Sequence, residues 1–501
     1  QISESMNLHL KYVIEGKMIF ENLKDFIEFL ESKNDLRRIS TEVDSELEIS
    51  EITDRTIKSG GPALLFENVK GFDIPVVTNI FGTHERTAWA LGVENSSDLT
   101  EKVRDILGIV KTPPKSMLEK LKTLKDLVGV ARTQPKIIKK APCQEVVNIG
   151  DEINLKALPH LKCWPMDGGK YITLPLVISK DPYTDKRNVG IYRMQVFDST
   201  TAGMHWQTHK VGAGHYRSGE ESGINRLEVA VSIGCDPVTM WSGALPIPPD
   251  MDEIAISGIL RDSSVQMVKC KTIDVEVPAE SEFVLEGYLT PGELKPEGPF
   301  GDHTGYYSLE DDYPVFHLTA ITHKKDPIYA ATVVGRPPSE DYFMGKAIER
   351  LMLPALQLTL PEVVDMNMPA EGVFKNLVIV SMKKEYPGHT RKVMNAIWGL
   401  GLLMLSKTII VVDDFVDVQN LSEVAWRVTG NIDPKNDIVF SEGPVDDLDH
   451  SSQNPKFGSK MGIDATQKTE LDGRTREWPP DVVMSDDIKE LVTKKWDKYG
   501  I

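Results

Sequence analysis

A long central block of short apolar runs constrains the fold of this chain more than any other feature. The block occupies residues 143–334 of 501, and glycine, proline and aspartate repeatedly interrupt its apolar runs. Short runs at regular spacing, separated by turn-forming residues, are typical of a β-barrel or a β-sandwich. The runs lie at 174–179, 189–197, 227–233, 272–277, 283–289 and 315–322. We therefore predict a central β-domain.

The segments on either side of this block alternate between helical and strand-like patterns. Phe26 and Leu30 belong to an apolar stripe at helical spacing, which predicts a first helix over 18–34. Further patterns predict helices at 85–91, 98–107, 344–353 and 390–398, and strands at 62–66, 74–79, 376–382 and 408–413. Alternation of this kind predicts α/β domains at 18–142 and 335–480.

The last segment, 481–501, is predicted to be an amphipathic helix. Ile488, Leu491 and Trp496 lie on one helical stripe. An isolated helix of this length is marginal in water, so we expect this stripe to dock on its own chain or on a neighbouring one. The N-terminal segment, 1–17, is assigned no function.

Composition excludes several classes of partner and location. The 57 Lys and Arg against 75 Asp and Glu give a net charge of −18, which repels nucleic acid and anionic lipid. No apolar run is long enough for a membrane-spanning helix. The four cysteines form no Cys-x-x-Cys pair and the chain begins without a secretory signal pattern, so we expect a reducing cytoplasm.

Asn188, His209 and Glu253 are the first candidate site residues. An amide oxygen, an imidazole and a carboxylate together suit Mn²⁺ or Mg²⁺, with water or phosphate oxygens completing an octahedron. Residues of these types also occur scattered through any large protein, so the set alone does not establish a metal site. Asn188 and Arg193 would face opposite sides of a regular strand, unless Gly190 forms a bulge or Asn188 lies in the preceding turn.

Glu297 and Asp302 form the second candidate cluster. They flank a glycine- and proline-containing turn, and both can reach one site if that turn is tight. An arginine between them would keep one carboxylate ionised, while burial or charge repulsion would raise the pKa of the other. That arrangement would supply a base and an acid at neutral pH. A solvated acidic turn is the alternative interpretation.

Motifs along nearly the whole chain from Met18 onward resemble the UbiD family of decarboxylases. In one-letter code they are GPALLFENV at 61–69, NIFG at 79–82, DGGKYIT at 167–173, GIYRMQ at 190–195, MHW at 204–206, LPIP at 245–248, LEG at 285–287 and GSKMGIDAT at 458–466. The resemblance implies an N-terminal α/β domain, a central split β-barrel of the flavin-reductase kind and a C-terminal α/β domain that contributes to an oligomer.

The resemblance also implies roles for the candidate residues. The metal ligands of the family fall on Asn188, His209 and Glu253, and His209 matches the family spacing better than His205, which would be a packed or substrate-side histidine. The catalytic arginine and carboxylates fall on Arg193, Glu297 and Asp302. An aspartate at the last position resembles the phenolic-acid branch, which includes 4-hydroxybenzoate and polyprenyl-hydroxybenzoate decarboxylases, more than the cinnamic-acid branch.

The cofactor implied by the resemblance is prenylated FMN (prFMN), anchored by Mn²⁺ or Mg²⁺, with a nearby K⁺ ion possible. The positions that match flavin-binding residues, partly through their backbone, are Thr173, Asn188, Ile191, Arg193, Gln195, Gly243, Ala244, Leu245, Pro246 and Glu253. A lysine that contacts the flavin phosphate in some relatives has no clear counterpart here.

The implied activity is reversible, non-oxidative decarboxylation of an aromatic (phenolic) or α,β-unsaturated acid through a covalent adduct with prFMN. Asp302 is the first choice for the proton donor and Glu297 the second. Physiological carboxylation, a non-catalytic flavin-binding subunit and a plain FMN oxidoreductase are the alternatives. A flavin prenyltransferase is the implied cofactor supplier, and a homodimer or hexamer is expected.

Overall fold

The computed structural model describes residues 13–14, 17–111, 131–207, 210–248 and 251–500, with backbone only for 13–14, 17 and 105–111. Its α-helices are α1 Leu23–Ser32, α2 Glu48–Lys58, α3 His84–Ala90, α4 Ser96–Lys111, α5 Val211–Ser222, α6 Pro237–Ser242, α7 Glu253–Arg261, α8 Glu340–Thr359, α9 His389–Trp398, α10 Leu421–Asn431, α11 Pro434–Asp437 and α12 Asp486–Lys495.

The strands before residue 205 are β1 Val13–Ile14, β2 Lys17–Met18, β3 Leu36–Ile39, β4 Ala63–Phe66, β5 Val76–Thr78, β6 Lys136–Ile138, β7 Val146–Ile149, β8 Tyr171–Ile172, β9 Pro175–Lys180, β10 Arg187–Ile191, β11 Met194–Val196 and β12 Thr201–Met204. The later strands are β13 Leu227–Ile233, β14 Gln266–Lys269, β15 Glu276–Pro278, β16 Phe283–Glu297, β17 Phe300–Gly301, β18 Tyr307–Ser308, β19 Asp311–His323, β20 Tyr329–Ala330, β21 Val363–Asn367, β22 Leu377–Met382, β23 Thr408–Asp413, β24 Ile438–Pro444 and β25 Phe457–Asp464.

The N-terminal part is a small α/β layer. Helix α1 begins at Leu23, later than predicted, because the Asn22 side chain caps it by accepting from the Asp25 backbone N–H. Its apolar face, which includes Phe26 and Leu30, is fully buried. A four-stranded sheet follows in the order β20-β5-β4-β3. The predicted strands at 62–66 and 74–79 and the helices at 85–91 and 98–107 are all found.

The central part is a nine-stranded sheet in which every pairing is antiparallel. The strand path is β10-β9-β13-β16-β19-β12-β11-β8, and β7 pairs with β19. Long strands β16 and β19 carry the turn between Glu297 and Asp311 to one end of this sheet. Among the described strands no closed barrel is present, since the edge strands β10 and β8 do not pair. The split-barrel class therefore stays a prediction.

The C-terminal part is a five-stranded sheet in the order β21-β22-β23-β25-β24. Its β22, β23 and β25 are parallel, and the buried Val393 and Ile397 of α9 belong to its core. The chain is thus a mixed α/β protein, as predicted. The apolar core of the N-terminal sheet continues into the nine-stranded sheet, and β20 joins the N-terminal sheet through β5. The predicted domain boundaries at 142 and 334 stay predictions.

Helix α12 is not packed against the part of its own chain that the structure describes. None of its residues is buried, and the exposed fractions of Leu491 and of the following Trp496 are 44% and 51%. Of the two expected outcomes for this helix, only docking on a neighbouring chain stays a prediction. Among the described residues, no helix is long and apolar enough to cross a membrane.

Candidate active site

The Arg193 guanidinium lies between the two predicted carboxylates. Its Nε and Nη2 donate to the Glu297 carboxylate at 3.1 and 3.3 Å, and its Nη1 donates to Asp302. Nη2 also donates to Ser308 Oγ at 3.0 Å, and the guanidinium carbon lies 4.6 Å from the centroid of the Phe300 ring. Arg193, Glu297 and Asp302 are at most 9% exposed. The structure therefore brings the three predicted catalytic residues together in one buried ion cluster.

A break in the sheet positions Arg193. Strand β10 ends at Ile191 and β11 begins at Met194, so Arg193 belongs to neither strand. Asn188 is inside β10, opposite Ser179, and the register is regular through Gly190. Neither the bulge nor the preceding turn considered from the sequence is found. The break removes the alternation that a continuous strand would impose on Asn188 and Arg193.

The turn that carries Glu297 and Asp302 is fixed from its outer side. Gln195 Oε1 accepts the backbone N–H of Gly298 at 2.8 Å, and Asp167 Oδ1 accepts that of Gly301 at 2.8 Å. Gly168 lies so close that a Cβ atom on it would be 2.1 Å from the Gly298 carbonyl oxygen. Gln195, predicted to bind the cofactor, and Asp167, in the DGGKYIT motif, thus set the geometry of this turn, which is the predicted catalytic turn.

Both carboxyl groups of the cluster are held ionised. Burial acts to raise the pKa of Asp302, but Arg193 and His303 outweigh it and lower that pKa well below its usual range. Burial likewise opposes ionisation of Glu297, whose pKa is nevertheless lowered by its hydrogen bond to His205 and by Arg193. The expected pair, with one raised and one lowered pKa, is therefore not found in Glu297 and Asp302.

A carboxyl group with a raised pKa lies on another element. Burial raises the pKa of Asp341, in the first turn of α8, to about 6, and the charge of Asp302 adds to this rise while His303 opposes it. Sequence reasoning missed Asp341 because nothing in the local sequence connects it with the turn that carries Asp302. The fold places it within electrostatic reach of that turn.

Two histidines extend the cluster. His205 Nδ1 lies 2.9 Å from Glu297 Oε2, and His303 Nδ1 lies 2.6 Å from Asp302 Oδ1. Because an ionised carboxylate can only accept, each Nδ1 carries the hydrogen. The Nε2 atoms of both rings are buried, and within the described part of the chain neither has a hydrogen-bond partner. His205, which the sequence left as a packed or substrate-side residue, belongs to this cluster, and His303 was missed although it directly follows Asp302.

Two of the three predicted metal ligands lie side by side. Glu253, the first residue of α7, accepts the backbone N–H of Val189 at 3.1 Å, and Val189 directly follows Asn188 in β10. Asn188 and Glu253 are each 5% exposed. Burial raises the pKa of Glu253 to about 7, while the neighbouring Arg187 is paired with Asp252 at 2.5 Å. A divalent cation would neutralise this buried carboxylate, so the residues fit one.

The third predicted ligand, His209, lies outside the described residues. Within the described part of the chain, no group of three His, Cys, Asp or Glu side chains is arranged to hold a metal ion. The predicted set contains an asparagine and the undescribed His209, so it stays a prediction.

Most of the predicted flavin-binding positions lie in two neighbouring segments, 188–195 and 243–246. The Ile191 backbone N–H donates to the Gly243 carbonyl at 3.0 Å, which joins β10 to the Gly243–Ala244–Leu245–Pro246 stretch after α6. A Cβ on Gly243 would lie 2.5 Å from Leu176 Cδ1, so this close approach requires glycine. Thr173 Oγ1 accepts the Thr332 backbone N–H at 3.0 Å. Backbone groups and small residues in this arrangement suit a planar cofactor, and the binding role stays a prediction.

Three profiles of the 3-octaprenyl-4-hydroxybenzoate carboxy-lyase (UbiD) family match the chain. They are the N-terminal domain at residues 27–106, the Rift-related domain at 136–337 and the C-terminal domain at 342–465. The chain belongs to the UbiD family. The resemblance drawn from its motifs is therefore confirmed.

Relatives of this UbiD protein cover nearly its whole length. An uncharacterized protein of Archaeoglobus fulgidus is 48% identical over 482 residues, which are 96% of this chain and 99% of that protein. The vanillic acid decarboxylase of Sedimentibacter hydroxybenzoicus in its closed form is 31% identical, with a TM-score of 0.83 and coverage of 96% and 99%. Its open form gives a TM-score of 0.77.

A third relative was solved with flavin. The UbiD-class enzyme HmfF of Pelotomaculum thermopropionicum in complex with FMN is 29% identical to this chain, with a TM-score of 0.76 and coverage of 92% and 97%. An evolved dimeric form of HmfF in complex with prFMN is 28% identical, with a TM-score of 0.74 and coverage of 93% and 100%.

Proposed function

We propose that this chain is a prFMN-dependent carboxy-lyase that removes CO₂ from an aromatic acid bearing a ring hydroxyl. The observation that carries the proposal is the buried cluster of Arg193, Glu297 and Asp302 in a member of the UbiD family. The likeness to vanillic acid decarboxylase along 96% of the chain supports an aromatic acid as the substrate.

The HmfF complexes with FMN and prFMN support prFMN as the cofactor. When bound, prFMN supplies the electron sink that cleavage of an aryl carbon–carboxylate bond requires. Asn188, Glu253 and His209 would hold the Mn²⁺ or Mg²⁺ that neutralises the cofactor phosphate. Thr173 and the backbone of the 243–246 stretch would contact the flavin or a K⁺ ion beside it.

Arg193 acts mainly as a positioning residue in this proposal. Four of its five N–H groups donate within the cluster, to Glu297, Asp302 and Ser308. Little donor capacity is left for the substrate carboxylate. The guanidinium instead fixes both catalytic carboxylates and keeps them ionised in a site from which water is largely excluded.

Asp302 delivers the proton to the ring carbon. When the carbon–carboxylate bond breaks, CO₂ leaves without the bonding electron pair, and the carbon must then receive a proton. Asp302 is ionised at rest, so its proton has to arrive first. Asp341 interacts electrostatically with both Asp302 and His303, and its pKa of about 6 lets it hold a proton close to neutral pH.

The test is expression with a flavin prenyltransferase, anaerobic purification and measurement of bound flavin, metal and CO₂ release from vanillate and 4-hydroxybenzoate. We expect turnover by the wild type, loss of turnover with retained flavin in Asp302→Asn, and normal turnover in Asp185→Asn. Asp185 is an exposed turn residue at φ 56°, a conformation that asparagine also tolerates.

Two results would overturn the proposal. Wild-type turnover by Asp302→Asn would remove Asp302 as the proton donor. A protein that carries prFMN and metal but releases CO₂ from no phenolic, benzoic or cinnamic acid would not be a decarboxylase of this class. Product formation at high bicarbonate measures whether the same residues also run the reaction toward carboxylation.

The same proposal includes a homo-oligomer in a reducing compartment. The exposed apolar side chains of Ile488, Leu491 and Trp496 support docking of α12 on a second copy of the chain. All four cysteines are unpaired and buried, which is consistent with the cytoplasm. Light scattering of the wild type and of Leu491→Asp measures whether this helix holds the oligomer together.

A further inference from the structure

His303 has one ring nitrogen in use and one without a partner. Its Nδ1 and its backbone N–H both contact Asp302 Oδ1, at 2.6 and 2.7 Å. These two contacts fix the orientation of the ring. The opposite nitrogen, Nε2, is buried and has no hydrogen-bond partner among the described residues. A buried polar atom without a partner costs free energy, and a bound group that hydrogen-bonds to it removes that cost.

The His303 ring faces an aromatic residue of the C-terminal part. The ring centroids of His303 and Phe374 lie 5.5 Å apart. Gly345 packs behind Phe374, since a Cβ on that glycine would lie 3.1 Å from the phenylalanine ring. His303 is therefore at the junction between the catalytic turn and the C-terminal part of the chain.

The backbone that presents Phe374 is strained. Val373 and Phe374 both have positive φ angles, of 54° and 43°, and a β-branched residue is rarely found there. The next residue, Lys375, anchors the segment through an ion pair of 2.6 Å with Asp446. Strain of this kind persists where the surrounding structure fixes it, and it is concentrated at ligand sites. The position of Phe374 beside His303 is thus specified by the fold.

We propose that His303 determines substrate specificity by binding the ring hydroxyl of the aromatic acid through Nε2, with Phe374 as the apolar surface beside that contact. A hydroxyl group donates to Nε2 of a neutral imidazole and accepts from Nε2–H of an imidazolium, so it satisfies the atom in either state. A methyl ether can only accept, and a ring hydrogen can do neither. The inference rests on the proposed decarboxylase function, which it deepens by naming the recognition residue.

The first experiment compares each acid with its own methyl ether. The prFMN-loaded wild type, His303→Phe and His303→Gln are assayed with 3- and 4-hydroxybenzoate and with 3- and 4-methoxybenzoate. We expect the wild type to prefer at least one hydroxyl acid, and His303→Phe to lower that preference in kcat/KM about tenfold, as loss of one hydrogen bond to a buried group predicts. His303→Gln, which retains a polar side chain, should restore part of the preference.

A matched control separates this effect from the loss of a histidine as such. His317 is in β19 of the nine-stranded sheet and contacts Glu293 at the surface, so His317→Phe should leave the preference unchanged. An equal loss of activity with hydroxyl and methoxy acids in His303→Phe would show that His303 only positions Asp302, and it would overturn the inference. A wild type without preference for the hydroxyl acids would also overturn it.

A binding measurement distinguishes failure of this inference from failure of the proposed function. Saturation-transfer NMR of the holoenzyme with phenol and with anisole needs no turnover. Tighter binding of phenol by the wild type, with equal binding of both by His303→Phe, would support the hydroxyl site even if no acid is decarboxylated. Equal binding by the wild type, together with turnover of aromatic acids, would overturn the site and leave the decarboxylase proposal standing.

Discussion

Replacing Arg193 by methionine tests whether the buried cluster depends on its single cation. Methionine approximately fills the space but leaves Glu297 and Asp302 without an opposite charge, and both are at most 6% exposed. Breaking a buried ion pair from one side typically costs about 3–5 kcal/mol. Arg38 provides the matched control, because it also pairs with two carboxylates, Glu31 and Glu67, but is 43% exposed. Arg38→Met should cost about 0–1 kcal/mol.

The pH dependence of the Arg193→Met effect follows from the lowered pKa values of Glu297 and Asp302. A lowered pKa contributes stability that is present above the unfolded-state pKa and is lost as pH falls through the folded-state value. Without Arg193, burial raises both pKa values, so the variant is penalised more as pH rises. The difference in unfolding free energy, measured by urea denaturation, should be largest near neutral pH and should shrink below about pH 5. A difference independent of pH, or no larger than that of Arg38→Met, would refute the reasoning.

Three further predictions concern the residues around this cluster. Because the pKa of Asp341 is raised to about 6 in the folded state, this residue contributes stability at low pH that is lost as pH rises from 4 to 6. Between pH 4 and pH 7 the wild type should therefore lose about 2 kcal/mol of unfolding free energy that Asp341→Asn does not lose, as measured by urea denaturation at both pH values. Gly168→Ala should displace Gly298 and thereby lower kcat/KM at least about tenfold in steady-state assays. Gly430 lies in open space on α10, so the control variant Gly430→Ala should keep the wild-type kcat/KM. Glu253→Gln should lose the metal with the fold intact, by metal analysis and circular dichroism; full metal content would remove Glu253 as a ligand.

Local sequence patterns predict most of the secondary structure correctly. The strand predicted at 408–413 has the same bounds as β23, and the helix predicted at 390–398 corresponds to α9. The apolar run at 189–197 is divided into two strands around Arg193. Periodicity cannot reveal that break, because an arginine at the end of a strand is indistinguishable in sequence from one within it. The ion partners that explain the break come from residues about a hundred positions later.

The candidate site was predictable as a set of residues but not as a charge arrangement. Motif resemblance selected Arg193, Glu297 and Asp302, and the structure places them in contact. The pKa values of Glu297 and Asp302 depend instead on which side chains lie next to each carboxylate. Arg193 lowers the pKa values of both carboxyl groups, and His205 beside Glu297 and His303 beside Asp302 lower them further, which the spacing of two acids in a turn cannot show.

Two ionised carboxylates around one arginine give the resting site a net negative charge, and this constrains how a proton reaches the substrate carbon. An arriving aromatic carboxylate adds a further negative charge, which raises the pKa of its neighbours. Asp302 contacts His303, and both residues act electrostatically on Asp341, whose pKa is raised to about 6. If Asp302 is the proton donor proposed above, substrate binding favours its protonation before the carboxylate leaves as CO₂. In the proposed mechanism, the cluster is ionised at rest and becomes an acid when the substrate is present, so that proton delivery is coupled to occupation of the site.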